Sequence, residues 1–75
     1  MNIGKTIKEY RIKNEITQRE LAKKLNRNIR TIQKYESNEI KVPLENLIII
    51  SDVLNIPYSE LISDKKIINI LKRGK

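Results

Sequence analysis

Twenty residues, Thr17 to Glu36, read TQRELAKKLNRNIRTIQKYE, and they limit the possible folds more than any other part of the chain. Leu21, Ala22 and Leu25 recur at helical spacing, and Ile32 and Tyr35 begin a second helical set a few positions later. Thr17 and Glu20 form a capping box: the Thr hydroxyl caps the Glu20 amide, and the carboxylate reaches back. Ile16 and Leu21 flank it as a hydrophobic staple. Asn28 is suited to cap the second helix of the pair. Only Asn26 and Arg27 remain between the two, so the chain must turn sharply. Asn26 tolerates the left-handed backbone that such a turn requires. Ala22 is small and permits a close crossing. Two helices joined by so short a turn, and crossing steeply, make a helix-turn-helix.

The flanking sequence extends the helical pattern. Ile3, Ile7 and Tyr10 predict a first helix over Ile3–Lys13, with Asn14 and Glu15 ending it. The helix led by Asn28 runs through Glu36 and frays near Ser37 or Asn38. A loop over Asn38–Val42 follows. Pro43 suits the first turn of a fourth helix, Leu44–Leu54, with Leu44, Leu47, Ile48, Ser51 and Leu54 on its inner face. Asn55 and Pro57 stop it. Tyr58–Ile62 has room for one helical turn, and Asp64 can cap a last short helix carrying Ile67, Ile68 and Leu71. The expectation is an all-α fold: a compact bundle of five short helices, with room for a sixth at the C-terminus. Residues 1–63 form the helix-turn-helix domain and residues 64–75 a C-terminal extension.

Composition narrows the function. The chain has 75 residues, enough for one small domain. It has no cysteine and no histidine, which excludes disulfides, the usual zinc sites and the commonest general base. No carboxylate pair is placed by a motif, so an enzyme is not expected, nor is a metal or cofactor. The longest apolar run, Leu47–Ile50, is far too short to cross a membrane, and the N-terminus lacks a signal-peptide core. A cytoplasmic protein is expected. The net charge is +7. Residues 1–41 hold 11 Lys/Arg against 5 Asp/Glu, whereas residues 42–75 hold 5 against 4. An excess concentrated in one half points to a polyanionic partner; ordinary solvated lysines are the alternative.

Gln18, Leu21-Ala22, Asn26, Asn28, Ile32 and Glu36, followed by VPLENLIIISDVLNIPYSEL, resemble the Cro/repressor-type (Xre) helix-turn-helix family over about residues 3–62. Three positions depart from its pattern. Asn26 replaces the turn glycine, and Glu15 the glycine common after the first helix. Arg27 stands where an apolar residue is usual, and it either loosens the turn or adds a phosphate contact. The resemblance implies a lambda-repressor-like fold and a third helix that enters the DNA major groove N-terminal end first. Residue chemistry supports this independently. Asn28, Ile29, Arg30, Gln33 and Lys34 lie on the leading end or outward face, offering an Arg for guanine, an amide for adenine and an aliphatic group for a thymine methyl. Ile29 either meets a base edge or packs against the second helix, and the two roles are compatible.

The resemblance gives Gln18 two tasks, gripping the phosphate backbone and bracing the third helix; the alternative is an exposed helix-start glutamine of no consequence. Thr17, Arg27, Asn38 and Lys41 are placed to add phosphate contacts, which fix register and not sequence. Arg11 and Glu36 both fall on apolar faces of their helices, where a charge needs a partner. Pairing them is the simplest solution, and the resemblance implies the same bridge; the alternative is two unrelated charges at the rim. Tyr10, Tyr35 and Tyr58 are scattered over three helices and suit core anchors better than base stacking.

The expected partner is double-stranded DNA carrying a near-palindromic operator, bound by a homodimer whose contact is weak without DNA. The function expected is transcriptional regulation, as a repressor. The seam is expected within residues 44–71, using Ile49 and Val53 opposite the core face of the fourth helix and Ile67, Ile68, Ile70 and Leu71 of the tail. Two rivals use these residues differently. The tail can instead fold back and complete a monomer core, or the patch can receive a partner protein, as in an antitoxin-like interaction module.

Overall fold

The helices begin and end on local sequence signals. In the computed structural model, which describes residues 2–73, α1 spans Ile3–Lys13, α2 Gln18–Leu25, α3 Ile29–Glu36, α4 Leu44–Leu54 and α5 Lys65–Arg73. A 3-10 turn at Tyr58–Glu60 precedes α5. There is no strand among the described residues. The fold is thus the all-α bundle expected, with the penultimate helical turn formed as a 3-10 turn. Gly74 and Lys75, at the end of the expected C-terminal extension, lie outside the described residues.

Side chains cap four of the five helices at their N-termini. Asn2 Oδ1 accepts the Lys5 amide at 2.9 Å, Thr17 Oγ1 the Glu20 amide at 3.0 Å, Asn28 Oδ1 the Thr31 amide at 3.0 Å and Asp64 Oδ1 the Lys66 amide at 2.9 Å. The Thr17 capping box closes because Glu20 Oε1 accepts the Thr17 amide at 3.0 Å. That bond is the main reason the Glu20 carboxyl titrates below its ordinary range. The fourth helix has Pro43 at its N-cap and no side-chain cap.

One device ends each of the first four helices. Glu15, Asn26, Asn38 and Asn55 take φ values of 56°, 53°, 63° and 56°. The amide of each following residue then bonds back to a carbonyl five positions earlier: Ile16 to Arg11, Arg27 to Ala22, Glu39 to Lys34 and Ile56 to Ser51, at 2.9–3.0 Å. This is the Schellman closure, which satisfies helix-terminal carbonyls. Asparagine suits the left-handed position; Glu15 occupies it without that advantage. Arg27 does not loosen its turn, since its amide is the one that closes it.

Ile7, Leu21, Ile32, Ile50, Leu54 and Leu61 are fully buried at the centre, each worth about 1.5–3 kcal/mol of transfer free energy. α1 and α2 both pack against α3 and α4. The inner face of α4 differs from the expected one. It presents Asn46, Leu47, Ile50, Ser51 and Leu54, while Leu44 is exposed and Ile48 half-buried. The expected set would need Leu44 inside, but α4 begins there, at the edge of the domain. The expected outer patch is also smaller. Val53 is half-buried against the core, as are Ile67 and Leu71, and Ile68 is buried. Of that patch, Ile49 and Ile70 remain exposed. No helix among the described residues is long and apolar enough to cross a membrane.

Candidate nucleic-acid interface

The third helix has two chemically distinct faces. Inward, Ile32 and Tyr35 are buried, and the Tyr35 hydroxyl accepts a hydrogen bond from Asn46 Nδ2 at 2.9 Å. Asn46 is only 3% exposed, so an amide deep in the bundle holds the back of α3. Sequence reading did not single it out; its signal is one amide inside the otherwise apolar run after Glu45. Outward, Arg30, Gln33, Lys34 and Ser37 are exposed, and Ile29 is half-buried at the leading end.

The capping role of Asn28 limits what it can offer. Its Oδ1 accepts both the Thr31 amide, at 3.0 Å, and the Thr31 hydroxyl, at 3.2 Å. Its amide nitrogen is left for a partner. An adenine contact needs a donor and an acceptor from one side chain, and on this face the exposed Gln33 carries both.

Behind the helix, Glu36 is gripped from two elements. Arg11 Nε meets its Oε2 at 2.6 Å, and Arg11 Nη2 its Oε1 at 3.1 Å. Gln18 Nε2 donates to the same Oε1 at 3.1 Å. Arg11 Nη1 donates to the Ile16 carbonyl at 3.0 Å. The side chains of Arg11 and Glu36 are 12% and 4% exposed, so this is an interior pair and not two rim charges. Burying such a pair costs desolvation, which bidentate geometry and the added Gln18 and Ile16 bonds offset. The C-terminal end of α3 is thereby fixed to α1 and to the start of α2.

The residues expected at phosphates surround this helix in different states. Arg27 and Lys41 are exposed. Thr17 is exposed but spends both its amide and its hydroxyl on Glu20 in the capping box. Gln18 has one N–H on Glu36 and is half-buried at the start of α2. Asn38 is committed inward: its Oδ1 accepts the Gly4 amide at 3.0 Å, and its Nδ2 donates to Asn2 Oδ1 at 2.8 Å. One amide proton of Asn38 remains, far less than a free side chain would offer.

A helix-turn-helix family model, of the Cro/C1 type, matches residues 7–61, which contain α2, α3 and the turn between them. No curated protein and no solved structure matches the chain.

Proposed function

This chain belongs to the Xre-like helix-turn-helix family of DNA-binding regulators, and from that premise we propose that it is a sequence-specific repressor of transcription acting in the cytoplasm, a binding protein and not an enzyme. The carrying observation is the contrast across α3. Its inner end is clamped by Arg11 and Gln18 through Glu36, while Arg30, Gln33 and Lys34 stand free on the outer face. A rigidly held helix with an unspent polar face fits a major groove, and the basic excess of residues 1–41 fits its phosphate walls.

In this reading Arg30 reads guanine, Gln33 adenine, and Lys34 and the Asn28 amide nitrogen add donors at base edges, with Ile29 against a thymine methyl. Gln18, Thr17, Arg27 and Lys41 grip the backbone and set register. Gln18 serves both sides, with one N–H on Glu36 and the other free for phosphate. A single helix reads few base pairs, so the repressor binds as a two-fold dimer, with half-sites about 34 Å apart. Ile49 and Ile70, 38% and 67% exposed, remain of the expected seam residues, and Leu44, 44% exposed, lies in the same stretch. So small a seam is weak until DNA holds both copies.

Selection of bound sequences from a random duplex pool tests the proposal. The expected product is a palindrome with half-sites one helical turn apart. A pool that stays unenriched overturns it and leaves the interaction module, for which Ile49 and Ile70 become the docking residues.

A further inference from the structure

On the function just proposed, Lys41 grips a phosphate from the loop between α3 and α4, so its reach depends on how that loop is held. Asn38 starts the loop in the left-handed conformation. Backbone geometry at that point would be met equally well by glycine. The side chain does something glycine cannot: it bonds the Gly4 amide, in the first turn of α1, at 3.0 Å and the side chain of Asn2, its N-cap, at 2.8 Å. Asn2 is simultaneously the N-cap of α1, accepting the Lys5 amide at 2.9 Å. The approach is close enough that a Cβ at Gly4 would lie 2.5 Å from the Glu36 carbonyl oxygen and 2.6 Å from that of Tyr35. Beyond Asn38, the loop stays beside α1: Ile40, Lys41 and Val42 share one cavity wall with Ile3 and Tyr35.

We infer that Asn38 is a positioning residue for DNA binding, mooring the Asn38–Val42 loop to the first turn of α1 and so fixing where Lys41 presents its ammonium group. The mooring has two legs, one to backbone and one to side chain, and both run to the start of α1, to which the proposed function assigns no DNA contact. It assigns Asn38 an indirect role in place of the phosphate contact expected from sequence. It also makes Asn2 and Gly4 part of the DNA-binding apparatus.

Two variants isolate the mooring. Asn38→Gly keeps the left-handed backbone and removes the amide. Asn2→Ser keeps a good cap on α1 but is too short to reach Asn38. Each is measured alone and combined with Lys41→Ala, by titrating a selected duplex over a range of salt, alongside a melting curve. The expected result is a salt slope lowered by about one unit in each single variant, as for one lost phosphate contact. The ranking of duplex sequences is preserved, and neither variant lowers the slope further once Lys41 is alanine. An unchanged slope in both variants overturns the inference. Losses that add to that of Lys41→Ala overturn it too, since Asn38 would then touch phosphate directly. If Asn38→Gly does not fold, Asn2→Ser alone decides by the same criteria. Failure of the proposed function is seen separately, as absence of salt-dependent duplex binding by the unaltered chain.

Discussion

Arg11 and Glu36, 25 positions apart in the chain, meet edge to edge, with two guanidinium nitrogens on two carboxylate oxygens and almost no exposure of either side chain. Glu36→Ala leaves a buried guanidinium uncompensated and strips Gln18 of its acceptor. The expected loss is about 3–5 kcal/mol of folding free energy, enough to unfold much of a domain this small. Thermal and urea melts check this, and a Glu36→Ala curve matching wild type would show that the pair contributes nothing to folding.

On the proposed function, specificity and affinity should separate between α3 and the loop that follows it. Arg30→Ala is expected to cost about 1–3 kcal/mol at one preferred base and to relax selection there. Lys41→Ala should weaken every duplex alike and reduce the salt slope by about one. Titrations over operator variants and salt distinguish them. An equal loss on all sequences for Arg30→Ala makes it another backbone contact.

Glu15 holds a position made for glycine, at φ 56° in the Schellman turn that ends α1. Glu15→Gly relieves a left-handed strain of roughly 1–2 kcal/mol, partly offset by the greater freedom of glycine in the unfolded chain. The net expectation is a more stable protein, by about 0.5–1 kcal/mol, with DNA affinity unchanged. A lower melting temperature for the variant would mean that the glutamate side chain stabilises the turn in some other way.

Acid should act through the capping box. The Glu20 carboxyl is lowered from about 4.5, first by the Thr17 amide it accepts and then by the Thr17 hydroxyl. A carboxyl with a depressed folded pKa contributes stability above its unfolded pKa and loses it as pH falls through the folded value. The melting-temperature advantage of wild type over Glu20→Gln is therefore expected in full near neutral pH and to shrink as pH drops below about 4.5. A constant difference across that window would detach the box from Glu20 ionisation.

The proposed dimer would rest on few residues. Ile49→Lys and Ile70→Lys are each expected to abolish two-copy binding to a palindrome while leaving the monomer folded, since both side chains are exposed. Sedimentation with and without duplex reads the stoichiometry. Two copies per palindrome in both variants would move the seam elsewhere.

Helix boundaries were legible because their causes are local. Thr17, Asn26, Asn28, Asn55 and Asp64 each act within a few positions, and all occupy the expected caps or turns. Faces were less legible where periodicity fails. Ile48, Ile49 and Ile50 are consecutive, and nothing in their order says that Ile50 is the buried one; the packing of α4 on α1 and α2 decides it. Asn46 and Asn38 were obscured for another reason. Their partners, Tyr35 for one and Asn2 with Gly4 for the other, are 11 and 34–36 positions distant. A side-chain amide reads alike in sequence whether it faces solvent or joins two helices.

Gly4 sits in the first turn of α1, where helix propensity favours alanine, yet any side chain there meets the carbonyls of Tyr35 and Glu36. Mutational tolerance is therefore distributed oppositely to what helical surface pattern implies. Position 4 is closed to substitution, while Arg30, Gln33 and Lys34, on a face that supports nothing, are open to it. On the proposed function, a lineage carrying this chassis can drift to new target sequences by exchanging three or four side chains, because the residues proposed to choose an address are not the ones that keep α3 in its place.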